Sequence, residues 1–143
     1  MSQRTLLQAS DRLLLDDEVR LAIGDTVVGR TVTTDATPAT LFTIPLLASR
    51  TTLLRVAVWA RRTGGVAGTA EDGAGYLLAA TYKQSGGTAT LIGGVTALHT
   101  AESQGGWDAT CVVSGPNVLV QVTGAAGNNV TWVGRVHVDS VNA

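Results

Sequence analysis

The stretch from Gly105 to Asp139, GGWDATCVVSGPNVLVQVTGAAGNNVTWVGRVHVD, decides the fold. Trp107, Ala109, Cys111 and Val113 alternate with Asp108, Thr110 and Val112. Ser114-Gly115-Pro116-Asn117 then breaks the run, because Gly admits positive φ and Pro has no amide to give a sheet. Val118, Val120 and Val122 alternate with Leu119, Gln121 and Thr123. After a second turn over Gly124 to Asn129, Val130, Trp132, Val136 and Val138 share one face, and Thr131, Arg135, His137 and Asp139 the other. A side-chain period of two over three successive runs predicts three strands joined by two tight turns, in an antiparallel sheet with one face buried.

Upstream the same pattern continues. Thr26 to Thr34 is rich in Val and Thr, as strands are. Asp35-Ala36-Thr37-Pro38 reads as a turn, and Leu41 to Ile44 as a short strand that Pro45 ends at an edge or bend. In the strand Thr52 to Arg62, Leu54, Val56, Val58 and Ala60 face one way, and Arg55, Trp59 and Arg61 the other. The loop Thr63 to Gly73 is expected to be the longest flexible segment. Tyr76, Leu78, Ala80 and Tyr82 alternate with Leu77, Ala79 and Thr81 in a strand over Gly75 to Lys83. Gln84-Ser85-Gly86-Gly87 turns it into Thr88 to Ile92, and Gly93-Gly94 marks a bulge before Val95 to Leu98. His99 to Gly106 is a polar connection. About eight strands without a long amphipathic helix predict an all-β domain, an antiparallel sandwich of jelly-roll type.

Residues 1–25 differ from the rest. They combine Leu13, Leu14 and Leu15 with Asp16, Asp17 and Glu18, at a spacing neither helical nor alternating. Ser10-Asp11 could cap a short helix, or the segment could be extended. It reads either as a frayed end or first strand, or as an arm that docks on a neighbouring subunit or larger assembly and so covers its leucines. The expected division is an arm over 1–25 and a sandwich over 26–143.

Composition bounds the function. Hydrophobic residues make up 45% of the 143 residues, enough for a core, but aromatics only 4%, so Val, Leu and Ala must fill it. A net charge of −1 gives no reason to expect nucleic acid or an anionic membrane as partner. No apolar run approaches the roughly 18 residues of a membrane helix, and the first residues lack the apolar core of a signal peptide. The expectation is a soluble protein made in the cytoplasm. Cys111 is the single cysteine, which excludes an internal disulfide, and its place in an alternating strand makes it a small buried hydrophobe.

Candidate constellations are few. A metal site would have to draw on His99, His137 and Cys111, which the strand pattern sends in different directions. His137 and Asp139 share a face, but no nucleophile elbow accompanies them. Glu71-Asp72 lacks calcium-loop spacing and reads as a solvated loop tip, and Gly64, Gly65 and Gly68 lack the Lys-Ser/Thr of a phosphate cradle. No cofactor is expected. Trp107 and Trp132 fall in register with the core. Trp59 instead shares its face with Arg55 and Arg61, which suits packing at a subunit interface or under a covering segment with cation–π support, or a platform for a sugar ring. The candidate interface residues are therefore Leu13, Leu14, Leu15, Arg55, Trp59 and Arg61.

Three phrases together, DGAGYLLAATYK over 72–83, GTATLIG over 87–93, and WDAT (107–110) through VQVTG (120–124) to VTW (130–132), resemble a β-rich domain that recurs in structural proteins of tailed bacteriophages. The likeness spans about residues 37–139, leaves residues 1–30 outside, and carries no catalytic motif. It implies a virion protein without enzymatic activity, often trimeric, with phage capsid or tail proteins as partners. The expected role is capsid decoration or a short head fibre. The alternative is a tail-fibre or tail-tip component, or a module binding a host-surface glycan.

Overall fold

The computed structural model describes residues 23–142. They form eight strands: β1 (Ile23–Thr33), β2 (Ala39–Pro45), β3 (Arg50–Gly65), β4 (Gly73–Ser85), β5 (Thr88–Glu102), β6 (Asp108–Ser114), β7 (Asn117–Thr123) and β8 (Asn128–Asn142). All pair antiparallel, in a five-stranded sheet of order β1-β8-β3-β4-β5 and a three-stranded sheet of order β2-β7-β6. No helix of the described residues is long and apolar enough to cross a membrane. Of the expected arm over 1–25, residues 1–22, with Leu13, Leu14 and Leu15, lie outside the described residues, and residues 23–25 belong to β1.

The winding is jelly-roll-like at its ends: β1, β2 and β3 alternate between sheets, as do β7 and β8. The middle departs from that pattern, because β3, β4 and β5 stay in one sheet as a meander. The run Gly105 to Asp139 is thus split between sheets, with β6 and β7 paired in the small one and β8 inserted between β1 and β3 in the large one. Alternation shows which residues face the core but not from which side they do so, and the corner at Gly127 (φ 76) carries the chain across.

The core is what the period-two pattern requires. Val118, Val120 and Val122 of the small sheet meet Val130, Trp132, Val136 and Val138 of the large one, all buried. Trp132 stacks with Tyr76 at a centroid distance of 6.4 Å and meets Trp107 at 5.8 Å and 58°. Its indole N–H donates to the buried Thr33 Oγ1 at 2.9 Å. Gly29 and Gly134 are register partners on β1 and β8, and together leave the slot into which Phe42 of β2 fits. Pro45 ends β2, an edge strand, where its missing amide costs no ladder bond.

Turn chemistry fixes the hairpins. Gly86 (φ 61) and Gly87 (φ 84) both take the left-handed conformation that a two-residue turn between β4 and β5 requires. Gly93 (φ 76) marks the bulge in β5, at the register shift between Ala79 and Thr81. The expected polar connection from His99 is instead a continuation of β5 as far as Glu102.

The inward face of β6 thins along its length: Trp107 and Ala109 are buried, Cys111 only half-buried, and Val113 exposed. Burial pushes the Cys111 thiol up to about 11, against a lowering contact with the Tyr82 hydroxyl. On β5, every residue from Ile92 to Ala101 is exposed, whichever way it points. The large sheet is wider than the small one, so its last strand overhangs the core.

Candidate functional site

The outer face of the five-stranded sheet collects the polar residues that alternation turned away from the core. Strand register orders them in rows. Arg30 of β1, Val133 of β8, Trp59 of β3 and Gly75 of β4 lie side by side in one row. The next holds Val28, Arg135, Ala57 and Leu77, and the one beyond it Thr26, His137, Arg55 and Ala79.

Trp59 stands in the middle, 43% exposed, where an aromatic of its size is ordinarily covered. The neighbour on its β4 side is Gly75, at which an added Cβ would meet nothing within 4 Å, so that flank of the indole is open. On the β8 side the Arg135 guanidinium carbon lies 5.8 Å from the ring centroid, within cation–π reach. The cation over Trp59 is therefore Arg135, from the adjacent strand, rather than Arg55 or Arg61 of its own. That pairing is diagonal across the β3–β8 register, and periodicity within one strand cannot reveal it.

Two depressions lie on this face. One, of about 390 Å³, is lined by Arg55, Ala57, Leu77, Leu98, Arg135 and His137. The other, of about 260 Å³, is bounded by Arg30, Trp59, Arg61, Thr63, Thr131 and Val133. Arg55, Trp59 and Arg61 thus lie on one face, as alternation predicts, with Arg30 and Arg135 beside them.

A polar cluster closes one end of the larger depression. Arg55 Nη2 donates to Asp139 Oδ2 at 2.9 Å, His137 Nε2 lies 3.4 Å from Asp139 Oδ1, and Thr26 Oγ1 is 3.2 Å from His137 Nδ1. His137 and Asp139 do meet, but the sheet amides around them are committed to the β1–β8 and β3–β8 ladders. The cluster can position a hydroxyl-rich or anionic ligand by hydrogen bonds. His99, His137 and Cys111 lie on β5, β8 and β6 of two different sheets. Among the described residues no group of three or more potential ligands gathers round a metal position.

The loop after β3 departs from expectation. Thr63 to Gly65 continue the strand, and the rest is pinned. Arg62 donates to Ala67 O at 2.8 Å and to Gly65 O at 2.9 Å. The Asp72 carboxylate accepts from Thr69 N at 2.9 Å and from Gln104 Nε2 at 2.7 Å. Gln104 also donates to Oδ1 of the buried Asn128, at 2.9 Å. The Thr69 amide above all, then Gln104 and Arg62, hold the Asp72 carboxyl below its usual range. Asp72 is a structural acceptor, whereas Glu71 (φ 72) reaches toward Arg61 at 4.0 Å.

Neither a protein-family model nor a curated protein matches the sequence. Among solved structures the chain is similar to the tailspike protein of Acinetobacter baumannii phage AM24, with a TM-score of 0.55 and 10% identity over 88% of this chain and 27% of that one. The tailspike of Acinetobacter phage vB_ApiP_P1 gives a TM-score of 0.42 at 16% identity, over 99% of this chain and 25% of that one. The tailspike gp49 of Acinetobacter baumannii bacteriophage Fri1, described as a capsular polysaccharide depolymerase, gives 0.37 at 12% identity, over 96% and 23%. The chain spans about a quarter of each tailspike's length.

The likeness to the AM24 tailspike is one of fold, and it extends the resemblance to phage virion β-domains to a solved example. The expectation of a chain without enzymatic activity is overturned. It rested on missing motifs, whereas the fold is shared with a phage tailspike. Glycan cleavage needs only two suitably spaced carboxylates, which leave no short signature in a sequence.

Proposed function

We propose that this chain is a β-sandwich module of a phage tail protein of the receptor-binding kind, which holds a host-surface polysaccharide on the outer face of its five-stranded sheet. The observation that carries this reading is Trp59, exposed in the wall of one surface depression and open toward Gly75. An indole held rigidly on a sheet gives a pyranose ring a flat apolar surface, and the arginines around it supply hydrogen bonds to hydroxyl and carboxylate oxygens. The fold shared with the AM24 tailspike supports the tail assignment.

In this reading residues 1–25, with Leu13, Leu14 and Leu15, attach the module to the virion, and the modules associate as a homotrimer. Arg55, Trp59 and Arg61 then belong to the ligand face. The test is binding of the full chain to purified surface polysaccharides from a panel of bacterial strains, with polymer length followed over time so that cleavage is read as well. Trp59→Ala is expected to weaken binding at least tenfold while leaving the melting temperature within a degree or two, because the side chain packs on the surface. Equal binding by the variant, or no binding across the panel, would refute the reading.

A further inference from the structure

We infer that the polysaccharide held on this face is anionic, its acidic sugar units taken by Arg30 and Arg135 on either side of Trp59. The inference rests on the polysaccharide reading above and adds the chemical class of the ligand.

Charge on this face is lopsided. The whole chain carries a net charge of −1, yet Arg30, Arg55, Arg61 and Arg135 all project from the outer sheet face. Asp139 is committed to Arg55 at 2.9 Å, and Glu71 reaches Arg61 only from the loop, at 4.0 Å. Arg30 and Arg135 have no carboxylate partner among the described residues. A guanidinium does not lose its charge at any physiological pH, so a positive centre persists on this face.

Register places the two free cations well. Arg30 shares the Trp59 row, two strands away across Val133, so roughly 10 Å separates their backbones at the usual strand spacing of about 4.8 Å. Arg135 lies on the diagonal and leans over the indole at 5.8 Å. Arg135 lines the larger depression and Arg30 the smaller, which Trp59 also lines, one register row from the Ala57–Arg135 row of the larger. Each depression thus has one guanidinium with no carboxylate partner among the described residues, and the pair of sites suits neighbouring units of a polymer. Stacking on the indole holds the Arg135 fork in place and lowers the entropy lost when it grips a carboxylate in bidentate fashion.

Neutral glycans need the indole and hydroxyl partners but gain little from uncompensated arginines. A carboxylate, from a uronic acid or a sialic-type sugar, uses both. The exposed residues here take no part in the core, so their replacement leaves the fold intact and the consequence is confined to the ligand.

The experiment uses the full chain on an array of microbial glycans with both acidic and neutral members, followed by titration of the best binder and of the same glycan after chemical reduction of its carboxylates. The expected result is binding of acidic glycans, about tenfold weaker for Arg30→Gln and for Arg135→Gln. Binding should also fall with added salt and be lost on carboxylate reduction. Gly75→Val, whose Cβ would meet no atom within 4 Å, should extend its methyls into the open flank of Trp59 and block binding without loss of stability. Equal binding of neutral or reduced glycans, or arginine variants that bind like the parent, would overturn the anionic inference while the polysaccharide reading stands. No glycan bound at all would overturn both.

Discussion

Gly134 sits mid-strand, far from any turn, at an ordinary negative φ. Its role comes from across the sandwich. A Cβ there would stand 2.7 Å from Leu41 Cδ2, 2.9 Å from Phe42 Cε2 and 3.1 Å from the Ala57 carbonyl, and one at Gly29 would stand 2.7 Å from Phe42 Cε1. The two glycines are paired in register, so one aromatic from the opposite sheet is seated by the absence of two side chains. Gly134→Ala is expected to lower stability by about 1–3 kcal/mol, through overpacking against backbone and ring together. Denaturant melts would show it as a lower midpoint, and Phe42→Leu in the same chain should recover part of the loss, since the sites share one contact. An unchanged midpoint would mean that Phe42 has room to move. A glycine reads in sequence as a turn signal, and only the facing sheet tells that this one is a socket.

At the scale of elements, strand identity and inward faces were legible, because period-two alternation is local. The Trp59 face was legible for the same reason. The partner of Trp59 was not, since Arg135 meets it only through the β3–β8 register. Asp72 shows the same limit, because Gln104 lies 32 residues further along the chain. A loop that looks solvated is instead tied to the start of β8 through Gln104 and Asn128. The sign of its pH response follows from the direction of the shift. A carboxyl held below its ordinary value in the folded state contributes stability that is full above that ordinary value and is lost as pH falls through the lower folded one. Protection factors over residues 66–72, taken against the intrinsic exchange rate at each pH, should therefore be high at neutral pH and fall in acid below about pH 4. Asp72→Asn should show low protection at every pH. Protection indifferent to both changes would mean that Arg62 and the backbone bond from Ala67 N to Gly127 O hold the loop without Asp72.

At the scale of the molecule, which strand joins which sheet was not written in local pattern. Val122 and Val130 have the same alternation and serve opposite sheets. The overhang of β5 was equally hidden, because a strand wet on both sides still looks apolar in sequence when Ile92, Val95 and Leu98 punctuate it. From Ser85 to Ala101 the chain carries no Lys, Arg, Asp or Glu, the residues that ordinarily guard an open edge. A trimer, as proposed, gives three times 14.7 kDa by light scattering, and a monomeric mass at all concentrations would set the proposal aside. The pairing of Ile23 with Asp139 and of Arg50 with Asn142 brings the start of β1 and the end of β8 to one end of the large sheet. That closeness has a mechanical side. Tension drawn between the two ends would peel β1 from β8 one hydrogen bond at a time, like a zip, whereas a pull spread over the outer face would load many bonds at once.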